Sequence, residues 1–186
     1  MNYENEYENR LREWMYTNEA IVADLQLVRS LNLPDGYIAA GYVRNYIWDR
    51  LHGYDQRTGL NDIDLVYFDD RNTAEAADRG IEARLQQLTG DARWSVKNQA
   101  RMHLRNKTEP YRSVSDALSR WPETATAVGI RLTEDDRVDI CCPHGLKDLF
   151  ELNIKRSPFF YDESFFRQRV EIKRWLVTWP LLRVIE

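Results

Sequence analysis

Between residues 37 and 70 the hydrophobic period of the chain changes twice, and this switching constrains the fold more than any other feature. "YIAAG", Tyr37 to Gly41, is a short apolar run of the kind that forms a buried strand. From Tyr42 the apolar residues step by four through Val43, Ile47 and Leu51, which predicts a helix stopped by Gly53. "LNDIDLVYFDD", Leu60 to Asp70, then reads as a second strand, rich in Ile, Leu, Val, Tyr and Phe.

The same patterns extend to both ends. Leu11, Trp14, Met15, Val22, Leu25 and Val28 predict one amphipathic helix through about residue 31, closed by the turn "LPDG" at 33–36. A helix is expected over 73–88, a third strand over 93–103, and a basic irregular connection over 101–112. "SVSD" at 113–116 has the form of a capping box and opens a short helix ending near Trp121 and Pro122. "ATAVGIRL" and "RVDICCP" predict a hairpin across "TEDD". "GLKDLFELNI" and residues 163–177 predict two more helices. Helices alternating with strands, then a hairpin, give an α/β (α+β) class with a mixed sheet flanked by helices. We expect a single domain over 1–186, its C-terminal helices from about residue 145 packed on the core.

With 43% hydrophobic and 12% aromatic residues the chain can bury a real core. A net charge of −4 argues against a broad nucleic-acid surface. No apolar run approaches the ~20 residues of a membrane-spanning helix. The polar start "MNYENEYENR" is unlike a secretory signal, and Cys141 and Cys142 are adjacent and read as reduced. A cytoplasmic protein is the expectation.

Two aspartates at the mouth of an apolar strand are costly, because like charges repel and burial penalises ionised groups. Residues i and i+2 share a strand face, so Asp62 and Asp64 are expected on one side, about 7 Å apart at Cα, with Ile63, Leu65 and Tyr67 on the other. A hard divalent cation, Mg²⁺ (or Mn²⁺), would offset them, taking one or two carboxylates plus phosphate oxygens and water. The alternative is solvation, or pairing with Arg50 or Arg57.

Gly41 lies 21 residues upstream of Asp62, at a strand-to-helix junction. A glycine there admits a phosphate close to the backbone, and the first N–H groups of the helix point at the anion. Arg44 and Asn45 fall in the first helical turn, where a guanidinium can fork a phosphate. Steric relief at Gly41 and a surface ion pair at Arg44 are the simpler readings. An anion cradle and a metal cradle separated by one helix and a loop would suit a nucleoside triphosphate.

A G-x-V-R-[DN] turn followed by D-x-D resembles the nucleotidyltransferase fold of the DNA polymerase β superfamily, above all CCA-adding enzymes and bacterial poly(A) polymerases. The set "AGYVRNYIWDRLHG", "NDIDLVYFD", "NQARMH", "TATAVGIRL", "PHGLKDLFELNIKRSP" and "KRWLVTWP" is similar to small bacterial nucleotidyltransferase-like proteins over residues 15–182. The resemblance implies a minimal, metal-dependent nucleotidyltransferase core that transfers a nucleoside monophosphate from a nucleoside triphosphate to an unknown acceptor. It places Gly41 and Arg44 at the phosphate turn and Asp62 and Asp64 at the metal. Asn45 stands where the tRNA-modifying relatives have an acid. Such enzymes usually add a third carboxylate from a neighbouring strand. "SVKNQ" offers no acid and only Asn98, while Asp139 in "RVDIC" has the apolar-acid-apolar pattern, with pairing to Arg137 or Arg131 as its alternative. A catalytically weak nucleotide sensor is the alternative function.

The remaining groups carry less. His52, His103 and His144 show no metal spacing. Lys147 begins a helix and is a further phosphate candidate, Asp148 its N-terminal partner. Arg101, Arg105, Lys107 and Arg112 form one basic cluster, read as a solvated loop or a guide for an acidic acceptor.

Overall fold

The computed structural model describes residues 3–185, so Met1, Asn2 and Glu186 of the expected 1–186 domain lie outside the described residues. The N-terminal helix is two: α1 (Tyr3–Tyr16) and α2 (Glu19–Ser30). Asn18 is extended between them, and its side chain accepts from the Ile21 N–H as an N-cap. The apolar period runs through the break because Leu11 and Met15 pack into the same core as Ile21, Leu25 and Val28.

Strand β1 (Tyr37–Ala39), helix α3 (Gly41–Leu51), strand β2 (Ile63–Tyr67), helix α4 (Glu75–Thr89) and strand β3 (Trp94–Asn98) follow in the expected order. The third strand is shorter than the sequence pattern suggests. Asn98, fully buried, accepts from the Ala100 N–H and starts helix α5 (Gln99–Asn106), so the expected connection over 101–112 begins as helix. Helix α6 (Val114–Ser119) is capped by Ser113, and β4 (Gly129–Leu132) and β5 (Val138–Cys141) form the hairpin.

At the C-terminal end, α7 (Lys147–Phe150) is a single turn. Leu152 takes a positive φ of 59°, which ends the helix, and β6 (Asn153–Lys155) follows. The last expected helix likewise splits at Arg174, φ 51°, into α8 (Glu163–Lys173) and α9 (Trp175–Thr178). Strand β7 (Arg183–Ile185) pairs in parallel with β6. Three-residue strands are too short for a period-2 signal. Among the described residues, no helix is long and apolar enough to cross a membrane.

The main sheet runs β3-β2-β1-β4-β5, with β2 and β3 parallel and the other pairs antiparallel. Ile38, Leu65, Val96 and Ile130 fill one face, in a core that takes in α1–α4 and also Leu149, Phe166, Trp175 and Trp179. On the other face Tyr37, Ala39 and Val66 pack beneath Val114 and Leu118 of α6. Register partners share a face, so Asp64, opposite Ala39, belongs to this second face. Helix α3 is buried from Tyr42 through Asp49. Its Asp49 is satisfied by Thr58 and by the Trp179 indole N–H at 2.8 Å, which ties the C-terminal segment to the helix.

Candidate active site

The register Ala39↔Asp64 sets the turn at Ala40 and Gly41 beside the acidic end of β2. Ala40 has φ 56° and ψ −127°, backbone that L-residues rarely adopt, at a cost of about 1–3 kcal/mol. The conformation aims its carbonyl down the helix, where it accepts from the Val43 and Arg44 N–H groups at 3.2 and 2.9 Å. The N–H groups of Gly41 and Tyr42 have no acceptor among the described residues. They are the orphan donors of an 11-residue helix, at its positive end. A Cβ at Gly41 would meet only ordinary contacts, the nearest being the Arg44 guanidinium at 3.5 Å. The protein's own packing therefore does not require glycine there. A close-approaching ligand would.

Asp64 lies half-buried on β2, and Asp62 is exposed just before the strand begins, outside the ladder it was expected to share. Burial pushes the Asp64 carboxyl up to about 6, and the Asp62 charge adds to that. Arg44, Lys97 and Lys173 pull the other way without prevailing. Neither aspartate has a hydrogen bond or ion pair among the described residues. The two arginines that would have neutralised them are elsewhere. Arg50 lies over the Trp14 ring at 4.9 Å, and Arg57 lies over Tyr42 at 4.7 Å with a bond to the Tyr42 carbonyl.

Arg44, expected as a phosphate fork, is buried and lies outside the lining of the cleft that holds Asp64. It is 6% exposed, donates to the Thr126 hydroxyl and the Asn45 side chain, both at 2.8 Å, and stacks on Trp175 at 4.5 Å. Burial lowers its pKa to about 10, while Glu123, Asp64 and Asp62 help to keep it charged. Each terminal nitrogen donates one bond to the protein, and Nε has no acceptor among the described residues. Asn45, also buried, is committed to Arg44.

Asp64 and Ala40 open onto a cleft of about 670 Å³. Lys97 and Thr126 lie near the acid, Arg169 of α8 forms part of a wall, and Phe159, Tyr161 and Phe165 line one side. Phe159, Tyr161 and Phe165 are 54%, 84% and 45% exposed, with Phe159 stacked on His144 and Phe165 tilted against Phe160. On the far side the cleft is bounded by Arg105, Asn106 and Tyr111. A larger cavity of about 750 Å³, beyond Tyr161, contains neither aspartate.

Asp139 does not join this site. Three strand spacings, roughly 14 Å, separate β5 from β2. Its carboxylate accepts from Arg131 at 2.9 Å and from the Tyr37 hydroxyl at 3.0 Å. Lys147 is exposed on α7 and lines no part of the cleft that holds Asp64. Its neighbour Asp148 binds Thr124 and Asn153 instead of capping the helix. Asn98 is used as a cap, and β3 sets Ser95 opposite Asp64 and Lys97 opposite Val66. Among the described residues no group of three or more acids, histidines or cysteines has metal-binding geometry. The basic cluster disperses: Arg101 pairs with buried Asp78, Arg112 with Asp116, and Arg105 alone of the four reaches the cleft.

The sequence reading missed Thr126, Glu123, Arg169 and Lys173. Arg169 and Lys173 are one turn apart on α8, a basic i, i+4 pair whose pattern is that of any solvated helix face. Glu123 in "PETAT" carries no periodic signal at all.

Solved structures share this fold. An NMR structure described as revealing a CCA-adding enzyme head domain matches with TM-score 0.84 and 30% identity, over 96% of this chain and 95% of that one. A CCA-adding enzyme with CTP matches at 0.57 and 19% identity, over 96% of this chain but 43% of the enzyme. The complex with ATP matches at 0.52 and 22%, over 91% of this chain and 40% of the enzyme. The chain thus spans less than half of these two enzymes, and at such identities they share its fold. No curated protein sequence matches. The family model described as "Nucleotidyltransferase" matches residues 26–184, and the chain belongs to that family, with the head-domain fold of the DNA polymerase β superfamily.

Proposed function

We propose that the chain transfers a nucleoside monophosphate from a nucleoside triphosphate to an acceptor nucleophile, in a reaction dependent on a divalent cation. The observation that carries this reading is the unpaired state of Asp62 and Asp64 beside the free N–H groups of Gly41 and Tyr42. Two carboxylates with no hydrogen bond or ion pair among the described residues suit Mg²⁺ (or Mn²⁺), provided the substrate phosphates complete the ligand set. When bound, such an ion neutralises the phosphates and polarises the reacting phosphorus–oxygen bond.

The rest is done by the chain. The Gly41 and Tyr42 N–H groups receive a phosphate oxygen at the start of α3, and the missing Cβ at Gly41 lets it approach. Arg44 adds a buried positive charge behind that turn, where little water screens it. The exposed Phe159, Tyr161 and Phe165 provide apolar faces against which a nucleobase can stack. That CCA-adding enzymes sharing this fold are described in complex with CTP and with ATP supports a triphosphate as the donor. With both Asp62→Asn and Asp64→Asn, cation-dependent triphosphate binding and pyrophosphate release should be lost. Unchanged binding and release would end the proposal.

A nucleotide-binding role without turnover is the second reading. It is favoured by β3, which offers Ser95 and Lys97 where a third carboxylate would be expected. Tight triphosphate binding with no pyrophosphate release across a broad acceptor panel would establish it.

A further inference from the structure

We infer that Arg169, steered by the buried carboxylate of Glu123, is the side chain that grips the triphosphate tail. The inference deepens the nucleotidyl-transfer reading and rests on it. Glu123 is 1% exposed and accepts from the Arg169 Nε–H at 2.6 Å. That bond joins the segment before β4 to helix α8, 46 residues away. It occupies only the inner edge of the guanidinium. The two terminal nitrogens of Arg169 have no acceptor among the described residues, and the side chain keeps 26% exposure in the wall of the cleft that holds Asp64 and Ala40. A guanidinium held by its Nε with both terminal nitrogens free is a preset two-pronged donor, the geometry that binds phosphate oxygens.

The charges around Glu123 favour the same ligand. Glu123 is the leading charge that keeps Arg44 protonated, and Arg169 is the leading charge that opposes it. Both guanidinia also lie over the Trp175 ring, at 4.5 and 5.7 Å. One buried carboxylate therefore faces two arginines, and Arg169 is the one of them that lines the cleft. Lys173, one turn along α8, also acts on Asp64. Arg44, 6% exposed, lines no part of that cleft, whereas Arg169 does. A polyanion is the complement of such a wall. A neutral base is not.

Calorimetry on the full chain with MgATP, MgCTP and inorganic tripolyphosphate, each with wild type, Arg169→Ala, Arg169→Lys and Glu123→Gln, tests this. Arg169→Ala should weaken all three ligands by about ten- to a hundredfold. Arg169→Lys should recover little of that loss, because an ammonium cannot fork, and Glu123→Gln should fall between the two. A loss confined to one nucleotide, with tripolyphosphate unchanged, would make Arg169 a base contact and overturn the inference. Equal affinity in wild type and Arg169→Ala would do the same. Arg169→Ala strands the buried Glu123 carboxylate and should lower the melting temperature, so a thermal melt checks that it is folded. If it is not, Arg169→Lys, which keeps a cation beside Glu123, carries the comparison: wild-type affinity of Arg169→Lys for all three ligands would overturn the inference. Failure of the wild type to bind any of the three would sink the nucleotidyl-transfer reading itself, and this inference with it.

Discussion

Replacing Asp64 by asparagine should make the metal-free protein more stable while removing its activity. Burial and the Asp62 charge lift the Asp64 carboxyl from its ordinary 3.8 to about 6. The ionised form is thus disfavoured in the folded state by roughly 3 kcal/mol, at about 1.4 kcal/mol per pH unit. The sign follows from linkage. Below about pH 4 the group is protonated in both folded and unfolded chains and costs nothing. As pH rises from there through 6, the unfolded chain releases its proton first and stability falls, reaching the full deficit above pH 7. Asparagine has the same shape without the charge, and its amide costs about 1 kcal/mol to bury. The net gain at pH 7.5 is then about 2 kcal/mol, or roughly 4–8 °C for a chain of this size. Thermal denaturation in EDTA across pH 4–8 measures it: the gap between variant and wild type should open with rising pH and close toward pH 4. A variant no more stable at pH 7.5, or a gap independent of pH, would refute the claim that Asp64 is an uncompensated acid.

Other perturbations separate the site from its surroundings. Because protons and the cation compete for Asp64, cation affinity should fall as pH drops below about 6, approaching tenfold per pH unit, in a titration followed by calorimetry. Gly41→Ala should leave the melting temperature within a few degrees, since its Cβ meets nothing closer than 3.5 Å, yet weaken triphosphate binding tenfold or more by blocking the phosphate. Asp139→Asn should leave pyrophosphate release near the wild-type rate and cost about 1 kcal/mol of stability through Arg131 and Tyr37, read by urea denaturation. Arg101→Ala should destabilise by about 3–5 kcal/mol in the same assay, because it strands Asp78, a carboxylate 2% exposed, without its cation.

The core of the fold was legible because its signals are local and periodic. The steps through Val43, Ile47 and Leu51 mark α3, and the run from Ile63 to Tyr67 marks β2, since each element buries a face with its own repeat. What was lost lies where a single residue overrides the repeat. Asn18 splits α1 from α2, Asn98 turns a strand into a helix, and Leu152 and Arg174 stop helices with positive φ that their side chains do not announce. Among the candidate site residues, Gly41 and the two aspartates stand out in the sequence because their residue types are improbable at those positions. Asp139 and Lys147 were misplaced for the opposite reason. An acid on a strand or a lysine at a helix start fits many environments, and only strand order and packing put both outside the cleft.

Arg44 lies at the motif's position but is buried, bonded to Thr126 and Asn45. The sequence puts a guanidinium one turn into the helix behind the phosphate turn, and the structure keeps it there. Yet α3 is buried on every side, so an arginine on it has no route to the cleft except through Thr126 and Asn45, which hold it. A buried cation is tolerated only beside acids, and here they are Glu123, Asp64 and Asp62. The same three acids raise the demand for positive charge at the site. Arg44 satisfies part of it at a distance, without bonding to Asp62 or Asp64, so the Asp64 lone pairs stay open toward the cleft. An arginine that reached over and paired with Asp64 would stabilise the fold and close the place where a cation can bind.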